Sequence, residues 1–281
     1  MILTTTEGYN NWYTAIADIQ KKPLQSTFTL NFNHTDIRTV PFQQAADEAA
    51  KLFAKNHADI YIGLSGGLDS EFVAEVFYRN NIKFTPIVAT VEGSTDYMFA
   101  LEWCYRKKIA PIFIEFKTND PRLIPHFINS CKGVKQECNL VSVIDYLCHY
   151  VRNKGGTLVA GESPLVRHTA RFDEAAGDVY DIYASVFYPT LIDPSLPLCN
   201  FLLYTPELML AMATESDTST NHSSSKSRLY GVPFRVKELV PTQPMDSGVT
   251  QKIFSAVHTE LYSPLPPAKW NKNELIGLLL R

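Results

Sequence analysis

The sequence predicts an α/β protein whose core is a doubly wound, mainly parallel β-sheet, with additions at the N-terminal and C-terminal ends of the chain. Between residues 43 and 160, short apolar runs alternate with segments of helical periodicity, which is the pattern of successive βαβ units. One apolar run, residues 59–64, leads directly into a glycine-rich turn. Because ligands of such sheets bind at the carboxyl ends of the strands, we expect a ligand site at this turn.

The N-terminal region, residues 1–56, is predicted to be an appendage to the core. Residues 8–21 carry apolar side chains at helical spacing, and residues 28–32 alternate between apolar and polar like a strand with one exposed face. An alanine-rich helix is expected at residues 43–55. These elements precede the first strand of the core.

The core itself is predicted at residues 57–165. Each helix carries apolar side chains at spacings of three and four residues, and in the first core helix Phe72 and Val76 belong to this inward face. Gly155 and Gly156 are expected to end the last helix. The predicted elements are strand 59–64, helix 69–79, strand 84–91, helix 95–107, strand 111–116, helix 138–153 and strand 157–160.

Residues 166–281 are predicted to form a substrate or lid region. Residues 205–207 are typical of a helix start, since they supply a capping hydroxyl, a proline at the first position and an acid in the first turn. Residues 214–228 are polar and of low complexity, which predicts a linker loop or a mobile lid that brings Lys226 and Arg228 to a phosphate. Further expected elements are a strand or hairpin at 178–188, a helix over 249–261 and an apolar segment at 275–280.

The composition is that of an enzyme-sized chain. Its 281 residues are 45% hydrophobic and can bury a large core. The net charge of −3 gives no overall basic surface, so nucleic-acid binding is not expected, although a local basic patch stays open. Since no apolar run reaches the length of a membrane span and no signal peptide begins the chain, we expect a cytoplasmic protein without membrane contact.

The cysteines and histidines predict reduced thiols and no structural zinc. The five cysteines are an odd number without a Cys-x-x-Cys pair, which fits free thiols better than a disulfide scaffold. The seven histidines form no His-x-x-x-His or Cys-x-x-His pair. Cys148 lies on the apolar face of a predicted helix, and we expect it to be a buried apolar group.

A cradle for a pyrophosphate group is predicted at the turn Ser65-Gly66-Gly67-Leu68-Asp69-Ser70. Adjacent glycines let backbone N–H groups converge on an anion, and the following helix turns its positive end toward that anion. Asp69 stands where a carboxylate can hold Mg²⁺ against phosphate oxygens. The turn lacks the lysine of a P-loop and the glycine spacing of a dinucleotide-binding motif, so it indicates a different type of ATP site.

The same six residues resemble the Ser-Gly-Gly-x-Asp-Ser signature of the PP-loop ATP pyrophosphatases, a superfamily with an adenine nucleotide alpha hydrolase-like fold. The resemblance covers about residues 59–162 and is closest in motif to the synthetase domain of asparagine synthetase. It implies that ATP is cleaved between its α and β phosphates with Mg²⁺ as cofactor. It also implies that Asp69 is a catalytic residue and metal ligand, and that the pyrophosphate is bound by Ser65, Gly66, Gly67, Asp69 and Ser70.

Other strand ends supply further candidate residues. The resemblance implies that the backbone at Ala89 lies beside the adenine, and that Gly161 and Glu162 form a second phosphate loop in which Glu162 is a second metal ligand. This loop lacks the aspartate that the family pattern has at its fifth position, so either Glu162 holds the metal alone or the loop uses different chemistry. Arg167 and Lys237 are candidate catalytic cations that neutralise developing charge, although the basic cluster around Arg167 is also typical of surface ion pairs.

These observations favour an ATP-dependent, AMP-forming ligase that adenylates a carboxylate or amide-like oxygen of a small-molecule substrate. A glutaminase domain of the asparagine synthetase type begins with a cysteine after Met1, whereas this sequence has Ile2, so ammonia or an amine is expected from a separate donor. Two alternatives stay open. One is a sulfurtransferase or base-modifying enzyme that acts on tRNA or a nucleobase, and the other is a catalytically inactive module that binds ATP or AMP.

Overall fold

The computed structural model describes residues 3–5, 30–32, 37–117, 120–126, 139–161, 165–167, 179–182, 195–216, 222–231 and 269–271. Side chains are described within 37–117, 120–126, 142–161, 195–216 and 226–231. The elements predicted at 8–21, 249–261 and 275–280 lie outside the described residues.

The described strands and helices alternate through the middle of the chain. The strands are β1 (Leu3–Thr5), β2 (Leu30–Phe32), β3 (Ile60–Gly63), β4 (Thr85–Val91), β5 (Ile112–Phe116), β6 (Thr157–Ala160), β7 (Leu165–Arg167), β8 (Val179–Ile182), β9 (Leu198–Asn200) and β10 (Lys269–Asn271). The α-helices are α1 (Phe42–Asn56), α2 (Leu68–Arg79), α3 (Tyr97–Lys107), α4 (Asn139–Arg152), α5 (Pro206–Glu215) and α6 (His222–Tyr230).

The main sheet has five parallel strands in the order β5-β4-β3-β6-β9. The chain leaves β3 toward β4 and β5, and later adds β6 and β9 on the other side of β3. The gap between β3 and β6 is therefore a topological switch point, where parallel sheets open a crevice. Two small antiparallel sheets accompany it, one of β1 and β2 and one in the order β10-β8-β7.

Helices cover both faces of the main sheet. Successive residues of a strand point to opposite faces, and Val88 accordingly packs in one hydrophobic cluster with α1, α2, α3 and α5, whereas Ile87 packs in a second cluster with α4. The first cluster is aromatic and includes Phe42, Phe72 and Trp103. The doubly wound α/β fold expected from the sequence is confirmed.

The predicted core elements are confirmed to within one or two residues at their ends. Gly155, with φ of +74°, follows α4 as expected, and the Gly156 N–H donates to the Val151 carbonyl at 3.1 Å. Strand β9 was not predicted. Among the described residues, Cys104, Cys148 and Cys199 are buried cysteines outside any disulfide, and no helix is long and apolar enough to cross a membrane.

Candidate functional site

The glycine-rich turn joins the carboxyl end of β3 to the first turn of α2, and its own hydroxyl groups hold it. Ser70 Oγ lies 3.0 Å from Ser65 Oγ, donates to the Gly67 carbonyl at 3.1 Å and accepts the Ser65 N–H at 3.2 Å. Gly67 is the N-cap of α2 and has no side chain that could cap the helix. The positive end of α2 therefore faces the space beyond the turn.

Gly66 allows the turn to pass close to the start of α3. Its φ is +78°, a conformation that side chains disfavour. A Cβ atom at this position would lie 2.7 Å from the Asp96 carbonyl oxygen and 3.0 Å from the Ala100 nitrogen. Only glycine fits this approach without moving the backbone.

A cavity of about 300 Å³ lies at the carboxyl ends of β3, β4 and β6, beside the switch point. The turn forms one wall, and hydrophobic side chains of the sheet and of α4 form the rest, among them Ile87, Val143, Ile144, Leu147 and Leu158. Six of the predicted site residues line this one cavity: Ser65, Gly67, Asp69, Ser70, Ala89 and Gly161. A polar rim on an apolar pocket suits a ligand with phosphates at one end and a flat base at the other.

Gly161 brings the end of β6 against the start of α2. A Cβ atom on Gly161 would lie 2.7 Å from Ser70 Cα and 2.8 Å from the Asp69 carbonyl oxygen. These are backbone atoms that cannot rotate away. The predicted second phosphate loop therefore begins directly against the first turn of α2.

Asp69 is held by two side chains of α6. Lys226 Nζ lies 2.5 Å from Asp69 Oδ2, and the Tyr230 hydroxyl donates to Oδ1. Lys226 and Asp69 are largely buried, with side chains 10% and 20% exposed. The carboxylate expected to bind a metal is thus paired with an ammonium group.

The prediction of a linker loop over 214–228 is wrong for residues 222–228, which belong to α6. A polar composition alone predicts no order, but contacts with other elements stabilise this helix. The Tyr230 ring is fully buried and stacks on Phe72 with a centroid distance of 4.2 Å, and Gln43 Nε2 donates to the Leu229 carbonyl at 2.8 Å. Lys226 and Tyr230 are four residues apart, so they share one helix face.

Glu71, the residue after the turn, is a buried acid directed toward α3. Its side chain is fully buried, and Oε1 lies 3.3 Å from Arg106 NH2. Among the described residues, Oε2 has no hydrogen-bond partner. Loss of hydration on burial raises the pKa of Glu71 to about 8, against the opposing effect of the Arg106 charge. Sequence reasoning did not select this residue, because a lone glutamate in a helix carries no distinctive pattern.

Gly66 belongs to the turn but is not among the residues that line the cavity, and for the other three candidates the structure describes no side chain. Glu162 and Lys237 lie outside the described residues. Arg167 belongs to β7, where its backbone pairs with Tyr180 of β8, and its side chain is not among those described. Their assigned roles stay predictions.

The chain was compared with known proteins. No protein-family model and no curated protein matches it. Similar solved structures include an NH3-dependent NAD synthetase from Campylobacter jejuni, with a TM-score of 0.39 and 13% identity over 86% of this chain and 92% of that one. They also include an NMN synthetase from Francisella tularensis, with a TM-score of 0.37 and 16% identity over 85% of this chain and 91% of that one. At TM-scores and identities this low, the function has to be inferred from the chain's own residues.

Proposed function

We propose that this chain binds ATP in the cavity at the carboxyl ends of β3, β4 and β6 and, with Mg²⁺, cleaves it to AMP and pyrophosphate. The observation that supports this most strongly is the convergence of the serine and glycine turn with Ala89 and Gly161 around one cavity at the switch point. A turn that only joined a strand to a helix would not need this close contact with a second strand end.

Each part of the cavity has a proposed task. The backbone of Gly66 and Gly67 and the hydroxyls of Ser65 and Ser70 bind the β and γ phosphates, which leave as pyrophosphate. The adenine lies beside the backbone of Ala89, against the apolar wall. That wall is formed by Ile87, Val143, Ile144, Leu147 and Leu158, and it keeps water from the reacting phosphate.

Mg²⁺ fits the donor set of this cavity, because the described polar groups are carboxylate and hydroxyl oxygens, which hard cations prefer. Asp69 would hold the ion, and this requires Lys226 to leave Oδ2. When bound, Mg²⁺ neutralises phosphate charge. Lys226 would then be free to contact a phosphate oxygen itself.

In the proposed reaction, a carboxylate or amide-like oxygen of a small molecule attacks the α phosphorus of ATP. The bond between the α phosphorus and the bridging oxygen breaks, and pyrophosphate leaves with the electron pair. Ammonia or an amine from a separate donor then attacks the carbon that bears the adenylated oxygen. The bond between this carbon and that oxygen breaks, AMP leaves with the oxygen, and the nitrogen loses a proton to solvent. We further propose that Arg167 and Lys237 neutralise charge and that Glu162 is a second metal ligand. We also propose that residues 57–165 form the ATP-binding region and that residues 166–281 form the substrate or lid region.

A second candidate function is nucleotide binding without turnover. The pairing of Asp69 with Lys226 and Tyr230 favours it, because both carboxylate oxygens are already engaged. In a module of this kind, Lys226 would take the place of the metal and the chain would bind ATP or AMP as a signal.

Product analysis separates these functions. The purified chain is first titrated with ATP and Mg²⁺ by calorimetry, and then incubated with them, ammonium and a panel of small carboxylic acids. The leading proposal expects AMP and pyrophosphate in equal amounts. Binding without products across the panel supports the second candidate, whereas ADP and phosphate, or no binding at all, contradicts the leading proposal.

Asp69→Asn tests the assigned metal ligand, and Asp47→Asn is its matched control. Both aspartates are ion-paired, Asp47 with Arg79 at 2.7 Å, but only Asp69 lines the cavity. We expect Asp69→Asn to lower the magnesium-dependent rate by a factor of about 100 or more, the effect of losing one strong electrostatic group at a reacting centre. Asp47→Asn should leave the rate unchanged, and an equal effect of both variants would contradict the role of Asp69.

A further inference from the structure

A second group of side chains, of types that bind metal ions, lies between α4 and the segment at residues 120–126. The cluster consists of His126, Asp145 and His149, whose ligand atoms all lie within 4.8 Å of one another. Asp145 Oδ2 is 2.6 Å from His126 Nδ1, and Asp145 Oδ1 is 3.8 Å from His149 Nε2. None of these residues lines the cavity proposed for ATP.

The fold brings these three side chains close together. Asp145 and His149 are four residues apart on α4 and therefore lie on the same helix face. His126 is brought there by a fixed segment, in which Leu123 is fully buried and Arg122 NH2 donates to the Glu115 carbonyl at 2.6 Å. The His126 ring also packs edge-on against Tyr146, with centroids 5.4 Å apart.

We propose that His126, Asp145 and His149 bind a divalent transition-metal ion of the zinc type. Two imidazoles and one carboxylate are a donor set that suits zinc, cobalt or nickel better than magnesium or calcium. Metal–ligand bonds of about 2.0–2.1 Å in a tetrahedral site separate neighbouring donor atoms by roughly 3.3 Å. The two described separations, 2.6 Å to Asp145 Oδ2 and 3.8 Å to Asp145 Oδ1, lie on either side of this value, so the side chains must rotate before one ion contacts all three residues.

The burial of Asp145 favours binding of a cation by the cluster. Its side chain is only 5% exposed, and a buried carboxylate is costly without a positive partner. A divalent metal ion supplies more positive charge than an imidazole does. The sequence search for histidine and cysteine pairs missed this site, because its pair on α4 is an aspartate and a histidine, and the third residue is remote in sequence.

Arg152 sets a condition on metal binding. Its NH2 group donates to His149 Nδ1 at 2.7 Å, which puts the imidazole proton on Nε2, the atom nearest to Asp145. A metal bound at Nε2 moves that proton to Nδ1, so the guanidinium must turn away. Removal of this donor, as in Arg152→Gln, is therefore expected to tighten metal binding.

Cobalt titration of the full-length, chelator-treated chain tests the site. We expect one Co²⁺ per chain, with visible d–d absorption of a low-symmetry site, displacement by Zn²⁺, and a higher midpoint of thermal unfolding with Zn²⁺. Asp145→Asn and His149→Gln should each weaken binding by about 100-fold or more, since even groups that only support metal ligands contribute 10–100-fold. His57→Gln is the control, because His57 is bonded to Thr157 Oγ1 at 3.1 Å, outside the cluster.

A further variant keeps the test decisive if Asp145→Asn fails to fold. His149 is one-third exposed, so His149→Cys should fold, and a thiolate ligand adds a sulfur-to-cobalt charge-transfer band in the near ultraviolet. Its appearance supports direct ligation. The proposal is overturned if the wild-type chain gives no saturable cobalt signal, if His149→Gln binds as tightly as wild type, or if His149→Cys lacks the new band. In these cases the cluster is a contact between histidine and aspartate side chains that binds no metal.

Discussion

The glycine-rich turn and helix α6 meet at Asp69, but different forces hold them there. The turn is held by hydrogen bonds between residues no more than five positions apart. Helix α6 is held by α1 and α2, through partners 157 to 186 positions away. The turn is thus a local structure, whereas α6 depends on tertiary packing, and substitutions should separate the two.

The largest expected effect is the release of α6 by Tyr230→Ala. The buried ring stacks on Phe72 at 4.2 Å and lies 5.9 Å from Phe42, and its removal should lower the free energy of unfolding by about 3–5 kcal/mol. Tyr230→Phe keeps the ring and removes only the hydroxyl bond to Asp69, so about 1.5 kcal/mol is expected. Chemical denaturation measures both. Equal losses would mean that stacking does not anchor the helix.

This difference between local and tertiary structure also explains what the sequence could predict. The turn was predicted residue by residue, because its glycines, serines and aspartate act within a few positions of one another. The order at residues 222–228 was missed, because Lys226 and Tyr230 are stabilised by Asp69 and Phe72, which no local pattern connects to them. Strand β9 has only three residues and is defined by its pairing with β6.

The cavity could be predicted only in part, because one of its walls depends on tertiary packing. Gly161 was expected to face the turn because parallel strands end at one edge of a sheet. The apolar periodicity of α4 predicted a helix, but it could not distinguish Cys148, which packs in the core, from Ile144, which lines the cavity. That distinction depends on where the helix lies over the sheet.

The second prediction concerns Glu71, the buried acid that follows the turn and is paired with Arg106 of α3. Glu71 has an ordinary pKa of 4.5 that burial raises to about 8, so the folded chain binds this proton more tightly than the unfolded chain. Its contribution to stability is greatest below pH 4.5 and is lost as the pH rises to about 8. Glu71→Gln mimics the protonated acid and should gain on the order of 2–3 kcal/mol relative to wild type at pH 8, less than the roughly 5 kcal/mol that full linkage allows.

Denaturation curves from pH 4.5 to pH 8 check this expectation. The control is Glu75→Gln, because Glu75 is paired with Lys107 at 2.8 Å with a partly exposed side chain. A pH dependence of Glu71→Gln that equals that of wild type would show that Glu71 is ionised in the folded chain.

The third prediction breaks the contact between the turn and the second strand end. Gly161→Ala would force Cβ against the backbone of Asp69 and Ser70 at 2.8 and 2.7 Å, and such overpacking costs about 1–3 kcal/mol. Gly63→Ala is the matched control on β3: Gly63 also lines the cavity, but its Cβ would meet atoms no closer than 3.8 Å, so the pair separates the backbone clash from the mere addition of a methyl group to the cavity wall. We expect Gly161→Ala alone to weaken ATP binding in calorimetry. Equal ATP affinities of the two variants would contradict the role of Gly161 in the cavity.

The smallest expected effect is the coupling between Lys226 and Asp69, measured by a double-mutant cycle with Lys226→Met and Asp69→Asn. Their side chains are 10% and 20% exposed, so we expect about 1–1.5 kcal/mol, above the range of surface pairs. Arg38 and Glu48 form the control pair, because they are 65% and 39% exposed at 2.7 Å and should couple by roughly 0.2–0.5 kcal/mol.

The same cycle, repeated with Mg²⁺ and ATP, distinguishes the two ways in which Asp69 can be used. If the carboxylate binds the metal, Lys226 must leave Oδ2, and the coupling energy should fall toward that of the control pair. If Lys226 instead replaces the metal, the ion pair persists and the coupling is unchanged by nucleotide. An unchanged coupling together with tight ATP binding would favour the module without turnover, because helix α6 would then stay on the turn while the nucleotide is bound.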